Sequence, residues 1–216
     1  MRLYGDLRSG NCYKVWLLAR YLAIPLEWVH VDIAAGETRT PAFLAMNPNG
    51  KIPVLQLEDG TLLCESNAIL YLLAQGSPLW PSDPLAQARV LQWLFFEQYS
   101  HEPYVAVSRF IVLYLGRPAD QEARLLSLRE PARKALAVME CQLAGHEWLS
   151  GDTMTIADIA LYAYTHVAEE GELSLDPFPA VRGWLARMGQ QPLHRTLNQA
   201  LAGEHPTGQA RSAPHF

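Results

Sequence analysis

The first 76 residues alternate between short apolar runs and one segment with helical periodicity. RLY at 2–4 and LEWVHVDI at 26–33 are typical of strands, and the second run alternates in polarity. Between them, apolar positions in 11–23 recur at helical spacing, and Pro25 follows as a stop signal. The order of strand, helix and strand predicts that the two strands are parallel.

A second pair of strands and a closing helix are predicted next. After a short helix around 42–46, the runs IPVLQL and LLCE are expected to be strands, joined through Asp59–Gly60, a good hairpin signal. The stretch SNAILYLLAQG is then expected to form a helix that Ser66 or Asn67 caps and Gly76 ends.

Residues 77–84 hold three prolines and separate this part of the chain from a remainder that is helical throughout. A long amphipathic segment is predicted from about 85 to 115, with a kink at Pro103. The other predicted helices cover about 120–145, 155–168, 178–190 and 192–201. In the segment TMTIADIALY, Thr155 and Asp158 have the spacing of a capping box and predict the start of a buried helix.

These patterns predict an α/β plus all-α fold in two domains. The N-terminal domain is expected to cover 1–76, with a linker at 77–84. The all-helical domain is expected to cover 85–203, and a loosely ordered tail is expected at 204–216.

Composition restricts the classes of partner. The chain has 216 residues, of which 50% are hydrophobic and 18% charged, and its formal net charge is -5. This balance disfavours nucleic acid, because a phosphate backbone is bound by clustered Lys and Arg. The N-terminus lacks the apolar core of a signal peptide, and Arg20 interrupts the apolar run VWLLARYLAI. We therefore expect a cytoplasmic location and no membrane partner.

The cysteines suggest neither a disulfide framework nor a metal cluster. Cys12, Cys64 and Cys141 are odd in number and far apart in the sequence. No metal is expected.

One apolar strand carries a proline near its start. In NPNGKIPVLQL, Gly50 can adopt a positive φ and deliver the chain into the strand, and Pro53 lies at the strand entrance. Proline cannot donate to a sheet ladder, so backbone groups beside it lack a regular partner. An extended peptide ligand could be that partner.

Three short motifs in this order resemble the cytosolic glutathione transferase family. They are NGKIPVL, ESNAILYLL and TIADIALY, and the resemblance covers about residues 1–203. It implies a thioredoxin-like N-terminal domain, an all-helical C-terminal domain, a homodimer and glutathione as co-substrate. It also implies that the Ile52–Pro53 bond is cis, although only about 5–6% of X-Pro bonds are cis in folded proteins.

The resemblance implies a contact for each part of glutathione. The backbone of Ile52, turned outward by Pro53, would pair with the cysteinyl backbone of the ligand. Ser66, at the start of a helix, would hold the γ-glutamyl carboxylate, and Glu65 would face the γ-glutamyl ammonium. For the glycyl carboxylate the candidates are two cations, Arg39 and Lys51.

The resemblance places the reacting thiol of glutathione near RSGNCYK. Ser9 is similar to the serine of the serine-type classes and would donate a hydrogen bond to the glutathione sulfur, with Asn11 two residues on. Cys12 lies close to the position of the reactive cysteine in cysteine-type members, although a buried and inert Cys12 is an open alternative. The same stretch resembles a bacterial subgroup that reduces disulfides with two bound glutathiones and no protein cysteine. The predicted function is conjugation of glutathione to a small hydrophobic electrophile, with disulfide reduction and a non-catalytic binding protein as alternatives.

A pocket for the second substrate is expected between the first helix and the long helix after the linker. The candidates share roughly one helix face and are Tyr104, Val107 and Ser108, with Phe110 and Leu113 nearby. Residues at this spacing also form helical cores, so that alternative stays open. His101 is expected to be structural, and the sequence does not specify the second substrate.

Overall fold

The computed structural model describes residues 1–203, which divide into two compact units. The first unit contains Met1–Leu73 and the described residues from Leu193 onward, and the second contains Ala74–Pro192. The predicted tail at 204–216 lies outside the described residues.

The first unit is built on a four-stranded sheet with the strand order β2-β1-β3-β4. Its strands are β1 (Arg2–Gly5), β2 (Glu27–His30), β3 (Val54–Gln56) and β4 (Leu62–Leu63). β1 and β2 are parallel, whereas β3 is antiparallel to both β1 and β4. Gly60 has a φ of +87° in the turn between β3 and β4. The predicted parallel pair and the predicted hairpin are therefore both confirmed.

The helices of the first unit are α1 (Gly10–Tyr21), α2 (Pro41–Met46), α3 (Ser66–Ala74), whose last residue lies at the unit boundary, and α9 (Leu197–Gly203). A 3₁₀ turn at Glu37–Arg39 precedes α2. Thr40 is the N-cap residue of α2, and its Oγ1 accepts a hydrogen bond from the backbone N–H of Phe43 at 3.3 Å.

A small apolar cluster supports the loop between α2 and β3. Val31, Phe43 and Val54 are buried together, and the partly buried side chains of Met46 and Ile52 pack against them. Burying side chains of this size stabilises a fold by roughly 1.5–3 kcal/mol each. The loop that carries Pro53 is therefore fixed to the sheet at one end and to α2 at the other.

Three predicted strands are shorter than expected, and the run IPVLQL forms a strand only over Val54–Gln56. The strand expected at 26–33 ends at His30, because Asp32 Oδ1 accepts the backbone N–H groups of Ala34 and Ala35 and turns the chain. The strand expected to run through Glu65 ends at Leu63. Glu65 has a φ of +66°, which is incompatible with a strand.

The start of α3 also differs from the expectation. The sequence offers Ser66 and Asn67 as candidates for its cap, but α3 begins at Ser66, so the cap position falls on Glu65. Gly76, with a φ of +73°, follows the end of the helix as expected.

The second unit is helical, as predicted. Its helices are α4 (Pro84–Phe96), α5 (Glu102–Arg109), α6 (Glu122–Leu143), α7 (Ile156–Thr165) and α8 (Pro179–Gly189). None of the helices in the described part of the chain is both long and apolar enough to span a membrane.

The long segment from 85 to 115 is interrupted by wider helical turns rather than by a simple kink. Segments with π-helical hydrogen bonding cover Glu97–His101 and Phe110–Tyr114, and Pro103 follows the first of them in the first turn of α5. A proline there removes a backbone donor, and a π turn is one way to rearrange the ladder around it.

His101 is structural, as expected from the sequence. Its side chain is fully buried, and its Nε2 lies 2.9 Å from the Oγ1 of Thr165. Thr165 Oγ1 donates to the carbonyl of Leu161 at 2.7 Å, so it accepts from His101. The proton of a neutral His101 is therefore on Nε2.

The predicted capping box at α7 is confirmed. Asp158 Oδ2 accepts the Thr155 backbone N–H at 2.9 Å, and Asp158 Oδ1 also accepts from the Leu149 N–H and the Trp184 indole, each at 3.0 Å. Burial raises the pKa of the Asp158 carboxyl to about 6, and these donors oppose the rise. One carboxylate therefore joins the start of α7 to α8.

The C-terminal boundary differs from the predicted domain division. The segment from Leu193, expected in the helical domain, belongs to the first unit. Tyr13 donates its hydroxyl to the carbonyl of Arg195 at 2.6 Å, and the Tyr21 hydroxyl lies 2.7 Å from the Nδ1 of His194. These bonds attach the segment to α1 and cross more than 170 positions of sequence, which helical periodicity does not reveal.

Candidate functional site

The Ile52–Pro53 peptide bond is cis, as the resemblance implied. Pro53 is buried and Ile52 is partly buried. The β1–β3 ladder reaches Val54, which pairs with Tyr4, so the backbone of Ile52 lies outside the ladder. No described residue accepts a hydrogen bond from the Ile52 N–H. A strand-like ligand could use this group.

Arg39 and Lys51, the two cations predicted for a carboxylate, lie beside the same turn. A Cβ at Gly50 would come within 2.6 Å of Arg39 Nη1, so the guanidinium lies against the backbone of Gly50. Lys51 is the next residue, and both side chains are exposed. The structure therefore brings Arg39 close to Lys51 although twelve positions separate them in the sequence.

Glu65 and Ser66 form a strained corner at the start of α3. Glu65 is exposed and occupies the left-handed region, with a φ of +66°. This conformation costs a residue with a side chain roughly 1–2 kcal/mol. Ser66 is only 5% exposed, and its Oγ lies 3.2 Å from Asn11 Oδ1, to which it donates. Strain held by the surrounding structure in this way is typical of a functional site.

The Ser66–Asn11 hydrogen bond joins the starts of two helices. Asn11 lies in the first turn of α1 and Ser66 is the first residue of α3. Helix N-termini carry partial positive charge and unsatisfied N–H groups. Two such ends held together favour an anionic ligand.

Ser9 is the N-cap residue of α1, but its side chain makes no capping hydrogen bond. Its position is set from the preceding turn, where the Ser9 N–H donates to the carbonyl of Asp6 at 2.9 Å. Asp6 is 2% exposed and accepts from both the backbone and the guanidinium of Arg8. Asp6 and Arg8 thus order the turn before Ser9, and sequence reasoning missed both.

Cys12 faces the interior. It is fully buried, and its Sγ would lie 2.6 Å from a Cβ at Gly5. Burial raises the pKa of the Cys12 thiol to about 12, although the backbone of Asp6 and the side chain of Ser9 hydrogen-bond to it. A thiol in this state is a poor nucleophile, so the structure favours the inert alternative over a reactive Cys12.

The three residues predicted for the second-substrate pocket lie in the second unit. Tyr104 and Val107 are partly buried on α5. Ser108 is fully buried, and its Oγ donates to the carbonyl of Tyr104 at 2.7 Å. This bond within the helix gives Ser108 a structural contact.

Family patterns match both parts of the chain. The pattern described as "Glutathione S-transferase, N-terminal domain" matches residues 8–75. The pattern described as "Glutathione S-transferase, C-terminal domain" matches residues 98–192. The chain belongs to the glutathione S-transferase family. Its fold class, a thioredoxin-like domain and an all-helical domain, is thereby confirmed.

Similar glutathione S-transferases cover nearly the whole chain. A crystal structure from Pseudomonas fluorescens is 56% identical, covers 91% of this chain and 98% of its own, and has a TM-score of 0.89. The glutathione S-transferase-like protein LUC7 of a Fusarium species is 32% identical over 86% of this chain and 87% of its own. A glutathione transferase from Burkholderia graminis, solved with two glutathione molecules per subunit, is 29% identical with a TM-score of 0.78. It covers 89% of this chain and 84% of its own.

Proposed function

We propose that this glutathione S-transferase binds glutathione in its first unit and stabilises the thiolate for attack on a small hydrophobic electrophile. The observation that carries the proposal is the Ser66–Asn11 hydrogen bond of 3.2 Å, which joins two predicted site motifs 55 positions apart. Ser66 and Glu65 would bind the γ-glutamyl end, and the Ile52 backbone would bind the cysteinyl part. The glycyl carboxylate would contact Arg39 and Lys51.

Ser9 would donate a hydrogen bond to the glutathione sulfur at the N-terminus of α1. A thiol with a pKa of about 8.5 is only about 3% ionised at pH 7, and a pKa lower by about two raises this to about 75%. The nucleophilicity of a thiolate falls as its pKa falls. This loss is about eightfold and cancels most of the roughly 25-fold gain in the ionised fraction. The net gain is about threefold, so most of the acceleration must come from holding the electrophile beside the sulfur.

Disulfide reduction is the second candidate, and the two-glutathione complex of the Burkholderia relative favours it. In that reaction a glutathione thiolate attacks one sulfur of the disulfide and the other sulfur leaves as a thiol after protonation. A second glutathione then attacks the mixed disulfide, releasing the second thiol and glutathione disulfide. The buried Cys12 is not required, because both electrons come from the two glutathiones.

The test is a paired assay on one preparation. Conjugation of an aryl halide with glutathione is compared with glutathione-dependent reduction of hydroxyethyl disulfide. We expect conjugation to dominate and Ser9→Ala to lower it about threefold at pH 7, with the pKa of bound glutathione raised by about two. Cys12→Ala is the matched control and should leave both rates near wild type.

Other results would change the assignment. Dominant reduction would support the second candidate, with Asn11 as the next residue to replace. If Cys12→Ala abolished reduction while Ser9→Ala did not, the role assigned to Ser9 would be wrong. Retention on glutathione-agarose without either activity would favour a binding protein.

We also propose a homodimer in the cytoplasm. The dimer is supported by an exposed apolar surface on the second unit: Leu85 is 61% exposed, Phe95 71% and Tyr99 83%. Exposed apolar surface of this kind is typical of protein interfaces.

A further inference from the structure

We propose that Asn47 is a positioning residue for glutathione binding, which aims the Ile52 N–H at the ligand. The inference rests on the proposed function. Asn47 lies between α2 and the cis-proline and is only 6% exposed. In the sequence it is visible only as a turn residue.

Every polar group of Asn47 is used to build the turn. Its N–H donates to the carbonyl of Phe43 at 2.9 Å, and its carbonyl accepts from Gly50 at 2.8 Å. Its side-chain Oδ1 accepts the Asn49 N–H at 3.1 Å, and its Nδ2 donates to the carbonyl of Lys51 at 2.7 Å. A single buried side chain thus spans the turn and holds its last carbonyl.

The bond to Lys51 determines where the next N–H points. The carbonyl of Lys51 and the N–H of Ile52 belong to one planar trans peptide, so they point in opposite directions. Because the carbonyl faces the buried Asn47 amide, the Ile52 N–H faces away from it. No described residue accepts from this N–H, so it is available to a ligand.

The remaining residues of the turn support this orientation. Pro48 has a restricted φ, and Gly50 adopts a φ of +63°. The Asn47 amide holds the Lys51–Ile52 peptide through its bond to the Lys51 carbonyl.

Two replacements of Asn47 test whether it positions the Ile52 N–H for the ligand or only stabilises the fold. Asn47→Asp keeps the side-chain size and the acceptor for Asn49, but a carboxylate cannot donate to the carbonyl of Lys51. Asn47→Ala removes both bonds. The matched control is Asn49→Ala, since the exposed Asn49 side chain enters none of these hydrogen bonds.

Calorimetric titration with reduced glutathione gives affinity and stoichiometry separately. We expect the dissociation constant to rise about tenfold in Asn47→Asp and at least as much in Asn47→Ala. In steady-state assays KM for glutathione should rise while kcat at saturating glutathione stays within about twofold. Asn49→Ala should match wild type in both experiments.

A purely structural role gives a different result. If Asn47 only stabilised the fold, its replacement would lower the binding stoichiometry or the yield of folded protein and leave the dissociation constant of the folded fraction unchanged. That result would overturn the inference. Unchanged binding by fully folded variants would also overturn it while leaving the proposed function intact. If wild type itself binds no glutathione, both fail together.

Discussion

Ser9 and Cys12 lie three positions apart but differ in burial, and burial decides which side chain can contact a bound thiol. Both lie at the start of α1, where the helix end favours a thiolate. Cys12 is fully buried and its thiol pKa rises to about 12, so burial outweighs the helix end there. Ser9 is only partly buried and makes no capping bond, and its side chain also hydrogen-bonds to the Cys12 thiol. The hydroxyl, rather than the protein thiol, therefore has the better position to meet an external sulfur.

Gly50 allows the Arg39 guanidinium to approach the turn, because glycine has no Cβ at the point of approach. In Gly50→Ala the new Cβ would lie 2.6 Å from Arg39 Nη1 and 3.1 Å from the Thr38 carbonyl, at a φ of +63°. We expect Arg39 to be displaced, glutathione affinity to fall about fivefold, and the free energy of unfolding to fall by about 1–2 kcal/mol. Titration calorimetry and urea unfolding measure the two effects.

Gly60→Ala is the control for backbone strain. Gly60 also has a positive φ, +87°, but no atom of the described residues lies within 4 Å of the position that a Cβ would occupy there. The Gly60→Ala variant should have a lower free energy of unfolding and an unchanged affinity for glutathione. Combining Gly50→Ala with Arg39→Ala should cost less affinity than the sum of the two changes, because Arg39 is already displaced. Simple additivity would contradict the predicted contact.

Local chemistry predicted the local structure of two elements. Asp59–Gly60 predicted the hairpin, and Thr155 with Asp158 predicted the start of α7. Both signals depend on residues a few positions apart. The attachment of His194 to Tyr21 depends on a contact between distant parts of the chain, and the φ of +66° at Glu65 is a conformation that a residue with a side chain rarely adopts. The sequence pattern contains no signal for them.

The candidate site shows the same division. Pro53 indicated the loop beside Ile52 from the sequence alone. The cis geometry of the Ile52–Pro53 bond was implied by the family resemblance. The resemblance also named Ser66 and Asn11, but not the hydrogen bond between them. Asn47 was visible only as a turn residue, because its role depends on the position of the Lys51 carbonyl in three dimensions.

The C-terminal segment should attach to α1 in a pH-dependent manner. Burial, assisted by the charge of Arg195, lowers the pKa of His194 from 6.5 to about 4. Arg20 also faces this segment through its bond to the Leu193 carbonyl, and neutral His194 can accept from the Tyr21 hydroxyl. His194 binds a proton less readily in the folded state than in the unfolded state. The free energy of unfolding is therefore highest above pH 6.5 and falls as the pH falls towards 4. The expected loss is about 3 kcal/mol.

Urea unfolding at several pH values, with hydrogen exchange of 194–203, measures this loss. His194→Phe keeps a ring but cannot titrate, so its stability should vary less between pH 6.5 and about 4. His146→Gln is the control, because His146 is exposed. The same pH dependence in wild type and His194→Phe would show that other groups cause the loss.

The surface of the molecule leaves apolar area uncovered where α4 continues into the π segment. Phe95 and Tyr99 lie four positions apart, at the end of α4 and in the π segment that follows, so they share a face. Isolated exposed apolar residues are common on protein surfaces. Two adjacent aromatic side chains that are each more than two-thirds exposed indicate an interaction surface. A second copy of the chain is the partner that the family resemblance implies.

Replacing both aromatic residues should therefore disrupt the dimer. In Phe95→Glu combined with Tyr99→Glu, two carboxylates would have to be buried without partners, so the mass in sedimentation equilibrium should fall to the 24.2 kDa of one chain. Leu126→Glu is the control, since Leu126 is 50% exposed on α6, away from this pair in sequence, and should leave the dimer intact. Loss of the dimer in the control alone would place the interface on α6, and a wild-type monomer at micromolar concentration would contradict the homodimer itself.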